Sequence, residues 1–276
     1  MPYRSRRAPT PYFPDSLALR EPARMATMRR LLALVYGAVV YGLFGLTWVY
    51  FVGFLGGFPV PKGANSGAVA PVPEALAIDL GCLAFFFLHH SVMARARAKR
   101  AIARFVSPPV ERSTYVLVAT MAIALLMAIW SPLPQIVWET EGVLRVLTLV
   151  VFWTGVLVTL AGSHLIDGLE LFGVRQVLAY FRERALPSIP FRTPGLYRLV
   201  RHPMMTGMLM TFWAAPTMTQ GRLLLAVAMS AYILVAVKCL EERDLRKTFG
   251  AEYERYQRAV PMFLPVWMPR RRSGGA

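Results

Sequence analysis

Between Leu31 and Val237 the chain returns six times to runs of apolar side chains almost free of charge, and runs of that length leave few folds open. An α-helix needs roughly 17 to 25 such residues to cross about 30 Å of hydrocarbon. Leu31 to Phe54, Ala75 to His90, Tyr115 to Trp130 and Val143 to Gly162 meet that need. Met204 to Met218 and Leu223 to Val237 are shorter. They are separated by TQGR, where Gly221 supplies turn freedom, so they read as a tight helical hairpin that spans. Pro216 is placed to kink the fifth helix near its outer end. The runs are continuously apolar rather than alternating, which excludes the strands of a membrane barrel. The sequence therefore predicts an all-α integral membrane protein, a bundle of five to six transmembrane helices ending in a hairpin. A composition of 56% apolar residues agrees.

Charge placement tests the topology independently, because lysine and arginine in short loops are retained on the cytoplasmic side. Of the 31 basic residues, all but Lys62, Arg145 and Arg222 fall in the N-terminal segment through Arg30, the loop Ala94 to Ser113, the segment His164 to Met204, or the tail from Lys238. This puts both termini in the cytoplasm, and short loops with an arginine-rich inner face fit a bacterial cytoplasmic membrane. The net charge of +16 follows from the same bias and from attraction to anionic membrane lipid, not from nucleic-acid binding. Residues 1–30 read as a flexible basic tail with no signal-type apolar core, 31–265 as the transmembrane domain with its cofactor-binding part at about 195–265, and 266–276 as a second basic tail. Cys82 and Cys239 lie too far apart in this topology to pair, and no metal-ligand spacing appears.

Polar residues collect at the predicted cytoplasmic ends of the spans. His89, His90, Ser91 and Arg95 end the second helix. His89 reads as interfacial, whereas His90 is placed either there or facing the bundle. Glu111, Arg112 and Tyr115 open the third helix, with Glu111 either functional or simply favoured by the helix dipole. Asp167, Glu170, Arg175 and Gln176 lie in HLIDGLELFGVRQ, which is either a re-entrant or surface-lying piece roofing a cavity or an amphipathic interfacial helix. Arg201 and His202 precede Pro203, which is tolerated only in the first turn of a helix, so both stand at an N-terminus that favours anions. Glu241, Glu242 and Asp244 follow the sixth helix. A returning hairpin brings these two ends together, one attracting carboxylate and the other ammonium. The amino acid end of S-adenosylmethionine matches that split, and its sulfonium favours carboxylates and aromatics.

RHPMMTG, an apolar stretch, then EERDL, FG, EY and Y together resemble the C-terminal signature of the isoprenylcysteine carboxyl methyltransferase and phospholipid methyltransferase superfamily. HHSVMARARAKR, VERSTYVL, SPLPQIVW and DGLELFGVRQV resemble more specifically its methanethiol S-methyltransferase branch, related to NnrU-like proteins. The resemblance runs from about Leu31 to Pro265 and implies methyl transfer from S-adenosylmethionine to methanethiol. It assigns Arg201, His202, Pro203, Gly207, Glu241 and Glu242 to the cofactor motif, and His90, Ser91, Arg112, Arg175 and Gln176 to the branch's own motifs. Met205 stands where the superfamily often has tyrosine, and His89 where the branch has glutamine. Other acceptors, an isoprenylcysteine carboxylate or a phospholipid amine, and a non-enzymatic NnrU-like role are the competing readings.

The chemistry of a thiol adds its own requirement. An alkyl thiol less acidic than a cysteine side chain, whose pKa is about 8.5, is mostly protonated at neutral pH, yet the thiolate is the nucleophile. The sequence offers His202 or His90 to take the proton, and Arg175 or Arg112 to stabilise the thiolate. No metal is required.

Overall fold

The computed structural model describes residues 23–93, 95, 98, 101, 104–186 and 190–265, so the predicted tails at 1–22 and 266–276 lie outside the described residues. The described chain is mostly helical, and five of its helical stretches, Arg24–Gly56, Val72–Met93, Pro108–Ile129, Gly142–Leu165 and Gln220–Phe249, are long and apolar enough to cross a membrane. The chain divides into two compact units, one built from the residues up to Pro132 with Asp167–Ile189, the other from Leu133–Ile166 with the residues from Pro190 onward.

The first unit contains α1 (Ala23–Gly56), α2 (Val72–Met93), α3 (Glu111–Ile129), the single turn α5 (Gly168–Leu171) and α6 (Val174–Phe181). Helix α1 starts inside the segment that the sequence suggested as a flexible tail, since Ala23 to Arg30 already belong to it. It packs on α3 and α6, and Gly37 is the point of closest approach: a Cβ there would lie 2.6 Å from Val177. Near one end of α2 and α3, Asp79 is fully buried and accepts the Ser131 backbone N–H at 2.8 Å, while Lys62 Nζ donates to the Ala128 carbonyl at 2.6 Å. These two bonds hold the chain where α3 ends. A lone acid in an apolar run is costly there unless it has such a task.

The second unit contains β1 (Ile136–Glu139), α4 (Gly142–Leu165), α7 (Pro203–Trp213), β2 (Thr217–Thr219), α8 (Gln220–Ala236), a π-helical turn (Val237–Glu241), α9 (Glu242–Phe249) and α10 (Ala251–Ala259). Helices α4 and α7 touch through small residues. A Cβ on Gly155 would sit 2.7 Å from the Gly207 carbonyl oxygen, and one on Gly207 would sit 2.5 Å from the Gly155 carbonyl oxygen and the Thr159 nitrogen. Thr159 and Thr211 donate their hydroxyls to carbonyls of their own helices, Gly155 O and Gly207 O, at 2.9 Å each, and Thr159 Oγ1 also lies 3.4 Å from Met204 O of the facing helix, so the polar groups in this seam are satisfied.

The predicted fifth span is different from a transmembrane helix. Its helix stops at Trp213 after 11 residues, too few for the hydrocarbon, so Pro216 lies beyond the helix and does not kink it. The turn is not at TQGR either: Thr219 caps α8 by accepting the Arg222 N–H, and Gly221 lies inside that helix, pressed against Leu133. The reversal comes at Ala214 to Thr219, whose backbone is paired. Thr217–Thr219 joins β1 as an antiparallel strand, and Ala215 O and Pro216 O accept from Trp138 Nε1 and from Thr140 N. With its carbonyls satisfied, an extended segment is tolerable where bare loop would not be. The lengths close. Gln220 to Glu242 rises about 33 Å at about 1.5 Å per residue; α7 supplies about 16 Å, and the extended residues after it supply up to roughly 20 Å more.

Candidate functional site

Closure of that hairpin brings His202 to the far end of α8, and the two polar tips meet. His202 caps α7 with Pro203 in its first turn, and its ring is almost fully buried. Nδ1 lies 3.4 Å from Glu241 Oε1, and Nε2 lies 3.3 Å from Glu242 Oε1. Each ring nitrogen therefore faces a carboxylate.

The two glutamates are housed differently. The Glu242 side chain is 6% exposed and makes an ion pair with Arg201, whose Nε and Nη2 lie 2.8 and 2.7 Å from its Oε1. Tyr253 OH donates to the same oxygen at 3.5 Å, and Gln257 Nε2 donates to Oε2 at 2.8 Å. Glu241 is 44% exposed and has the His202 contact. Arg201 is engaged on every side, because its Nη1 donates to the main-chain carbonyls of Gln257 and Val260 at 3.0 and 2.6 Å.

The chain after α10 straps the same corner. Arg201 N and His202 N donate to Pro261 O and Met262 O at 2.8 and 3.2 Å, and Thr206 Oγ1 donates to Phe263 O at 2.9 Å. Three phenols complete it. Tyr253 packs beside Tyr256 and Phe191, Tyr256 OH donates to Tyr197 O at 2.5 Å, and Tyr197 OH donates to Gly162 O at 3.1 Å. Burial pushes all three hydroxyls above the ordinary tyrosine range, Tyr256 to about 12. At neutral pH they are donors without charge.

Of the other predicted residues in this unit, Gly207 faces α4 and serves helix packing, with backbone filling the place of its Cβ. Gln257 is not singled out by the sequence, and Tyr253 and Tyr256 enter there only within the EY and Y of the C-terminal signature, with no role assigned. Their spacing was the available signal, because residues three and four apart share one helix face.

The first unit gathers its own polar cluster. Tyr115 OH lies 3.2 Å from both nitrogens of His90, whose ring stacks on Phe86 at 5.5 Å. The Arg112 guanidinium carbon stands 5.2 Å over the Tyr115 ring, and its Nε donates to Leu171 O at 2.8 Å. HLIDGLELFGVRQ is not one continuous helix: it breaks at Asp167 and again at Gly173 into the short helices α5 and α6. Asp167 in a left-handed conformation ends α4's extension and caps α5, and Gly173 at φ +84° starts α6. Arg175 is ion-paired to Asp167 and, at 3.4 Å, to Glu170, so its charge is already neutralised locally. Burial raises the Glu170 carboxyl, opposed by Arg175. The Gln176 side-chain oxygen and His89 Nδ1 are buried without a hydrogen-bond partner among the described residues. No group of three or more histidine, cysteine or acidic side chains that could hold a metal occurs among the described residues, and Cys82 and Cys239 are free thiols.

No solved structure matches the chain. Its sequence is 44% identical over 244 residues to methanethiol S-methyltransferase 2 of Bradyrhizobium diazoefficiens, covering 88% of this chain and 94% of that protein. It is 42% identical over 239 residues to methanethiol S-methyltransferase of Mycobacterium tuberculosis, covering 86% and 98%. Nurim of Homo sapiens is 31% identical over 216 residues, 70% of this chain and 79% of that protein. The family model described as NnrU protein matches residues 80–268, a span that contains the His202–Glu242 corner and nearly all of the second unit, and on that match the chain belongs to the NnrU family.

Proposed function

We propose that this protein methylates methanethiol at a membrane, with S-adenosylmethionine as donor, giving dimethyl sulfide and S-adenosylhomocysteine. The observation that carries the reading is the meeting of His202 with Glu241 and Glu242 at the closed end of the hairpin, in a chain whose relatives of 42% to 44% identity are named for that acceptor. When bound, S-adenosylmethionine supplies a methyl group on a positively charged sulfur. The residues present suit it. Glu241 offers a partly open carboxylate to an ammonium or sulfonium, and the N-terminal turn of α7 offers backbone N–H groups and the positive end of a dipole to a carboxylate. Arg201 has its donors filled by Glu242, Gln257 and Val260, so it acts by fixing the corner. Both nitrogens of His202 are occupied by carboxylates, which leaves it better suited to orient Glu241 than to accept a thiol proton.

In the first unit, we assign proton acceptance to His90, with the Tyr115 hydroxyl beside it, and the charge that favours a thiolate to Arg112. Arg175 holds the Asp167 turn, and Gln176 keeps a free acceptor. Exclusion of water favours these charge interactions, because a low-dielectric surrounding strengthens them. A small apolar thiol reaches such a protein from the bilayer. The tips carrying His202 and Glu241 lie on the cytoplasmic side of a bacterial membrane in this proposal, with both termini there.

The test is to assay purified protein with the donor and, side by side, methanethiol, a prenylated cysteine carboxylate and a phosphatidylethanolamine. Dimethyl sulfide formed by wild type and lost in Glu241→Ala and His90→Ala supports the reading. Turnover of either other acceptor instead of methanethiol overturns it.

A further inference from the structure

Glu241 and Glu242 are adjacent and chemically identical, yet the fold treats them oppositely. Glu242 is enclosed, its oxygens taken by Arg201, His202, Tyr253 and Gln257. A carboxylate offers about four lone-pair sites, so little acceptor capacity is left for a ligand. Glu241 is open. Glu241 closes the π-helical turn Val237–Glu241 and Glu242 opens α9, so as helical neighbours the two carboxylates leave the axis roughly 100° apart. That offset does not by itself keep Glu242 in place.

Gln257 does that from α10. Its side chain donates to Glu242 Oε2 at 2.8 Å, and its main-chain carbonyl accepts from Arg201 Nη1 at 3.0 Å. One residue thus holds both members of the ion pair, by two different groups. Removing the side chain would strip a buried carboxylate oxygen of its donor while sparing the main-chain bond to Arg201. Glu242 could then turn toward His202, which it already approaches at 3.3 Å, and the ring would no longer be balanced between two carboxylates.

We infer that Gln257 is a positioning residue that commits Glu242 to Arg201 and leaves Glu241 as the carboxylate meeting the ammonium of the methyl donor, a charge that S-adenosylhomocysteine retains. This rests on the methyl-donor reading above and deepens it by dividing the glutamate pair.

The test uses the full chain in detergent or nanodiscs and compares wild type with Gln257→Leu, Glu241→Gln, Gln257→Glu and the exchange Glu242→Gln/Gln257→Glu. Three quantities are measured: the unfolding midpoint without ligand, the affinity for S-adenosylhomocysteine by calorimetry, and KM for each substrate. Glu241→Gln keeps the ligand-free midpoint and loses about tenfold or more in affinity. Gln257→Leu raises KM for the donor by about tenfold while KM for methanethiol stays put. Gln257→Glu, which sets two carboxylates against each other, binds worse than the exchange variant, which restores one charge and one amide. Wild-type affinity in Glu241→Gln overturns the assignment, as does a Gln257→Leu variant whose lower midpoint accompanies equal changes in both KM values. Wild type that binds no S-adenosylhomocysteine overturns the methyl-donor reading, and this assignment with it.

Discussion

Gly207→Ala separates the two roles that a glycine beside an RHP motif could have. A Cβ at this position would stand 2.5 Å from the Gly155 carbonyl oxygen, from the Thr159 nitrogen and from the Thr159 hydroxyl, two of which are backbone atoms that no rotamer change can move. Ordinary contact requires helices α4 and α7 to part by about 1 Å, and forcing an extra methyl into such packing costs about 1 to 3 kcal/mol. For a chain of this size that lowers the unfolding midpoint by about 2 to 4 °C per kcal/mol. His202 caps the same helix, so the shift reaches the corner, where a misplacement of about 1 Å can cost about a hundredfold in rate. The assay is thermal unfolding of ligand-free protein, then turnover. Gly155→Ala should act through the same interface, so the double variant should lose less than the sum of the singles. A ligand-free midpoint equal to wild type, with donor binding alone reduced, would refute the packing argument and return Gly207 to the ligand.

Gly173→Ala should destabilise by about 1 to 3 kcal/mol, since φ there is +84° and a Cβ would lie 2.7 Å from Ser113 N; chemical denaturation checks it. Asp79→Ala should loosen the end of α3 by removing the acceptor of the Ser131 N–H, seen as faster amide exchange at Ser131 with donor binding retained; unchanged exchange would contradict that role. Tyr256 holds its proton up to about 12 in the fold against an unfolded value of 10.0, so the folded chain binds more protons between those pH values and stability falls as pH rises through them. Tyr256→Phe should flatten part of that fall, and an identical slope in the variant would count against the buried hydrogen bond to Tyr197.

The membrane class was legible because uninterrupted apolar length has few other uses, and four predicted spans reappear as helices whose bounds differ mainly by longer ends. The fifth was misread for a physical reason. Met204 to Met218 is uniformly apolar, so hydropathy cannot show that the helix stops at Trp213 and continues as a strand paired with β1. Pro216 was the available hint, and it marks the segment where paired backbone replaces helix. The meeting of His202 with Glu241 and Glu242 followed from hairpin topology alone. The unequal roles of the two glutamates did not, because they depend on Gln257 and Tyr253, ordinary-looking polar residues of a charged helix whose shared face has meaning only once Arg201 is known to lie beneath it. Asp79 is not singled out by the sequence, and its partner Ser131 stands just past the end of another helix, where no local pattern points to it.

Methyl transfer to a small thiol at this corner has a direct readout: purified protein is supplied with methanethiol and S-adenosylmethionine carrying a deuterated methyl group, and the headspace is read by mass spectrometry. Deuterated dimethyl sulfide is expected in equal amount to S-adenosylhomocysteine, abolished by Glu241→Ala in protein that still folds. Unlabelled or absent dimethyl sulfide from wild type, or full labelled product from the variant, would contradict it.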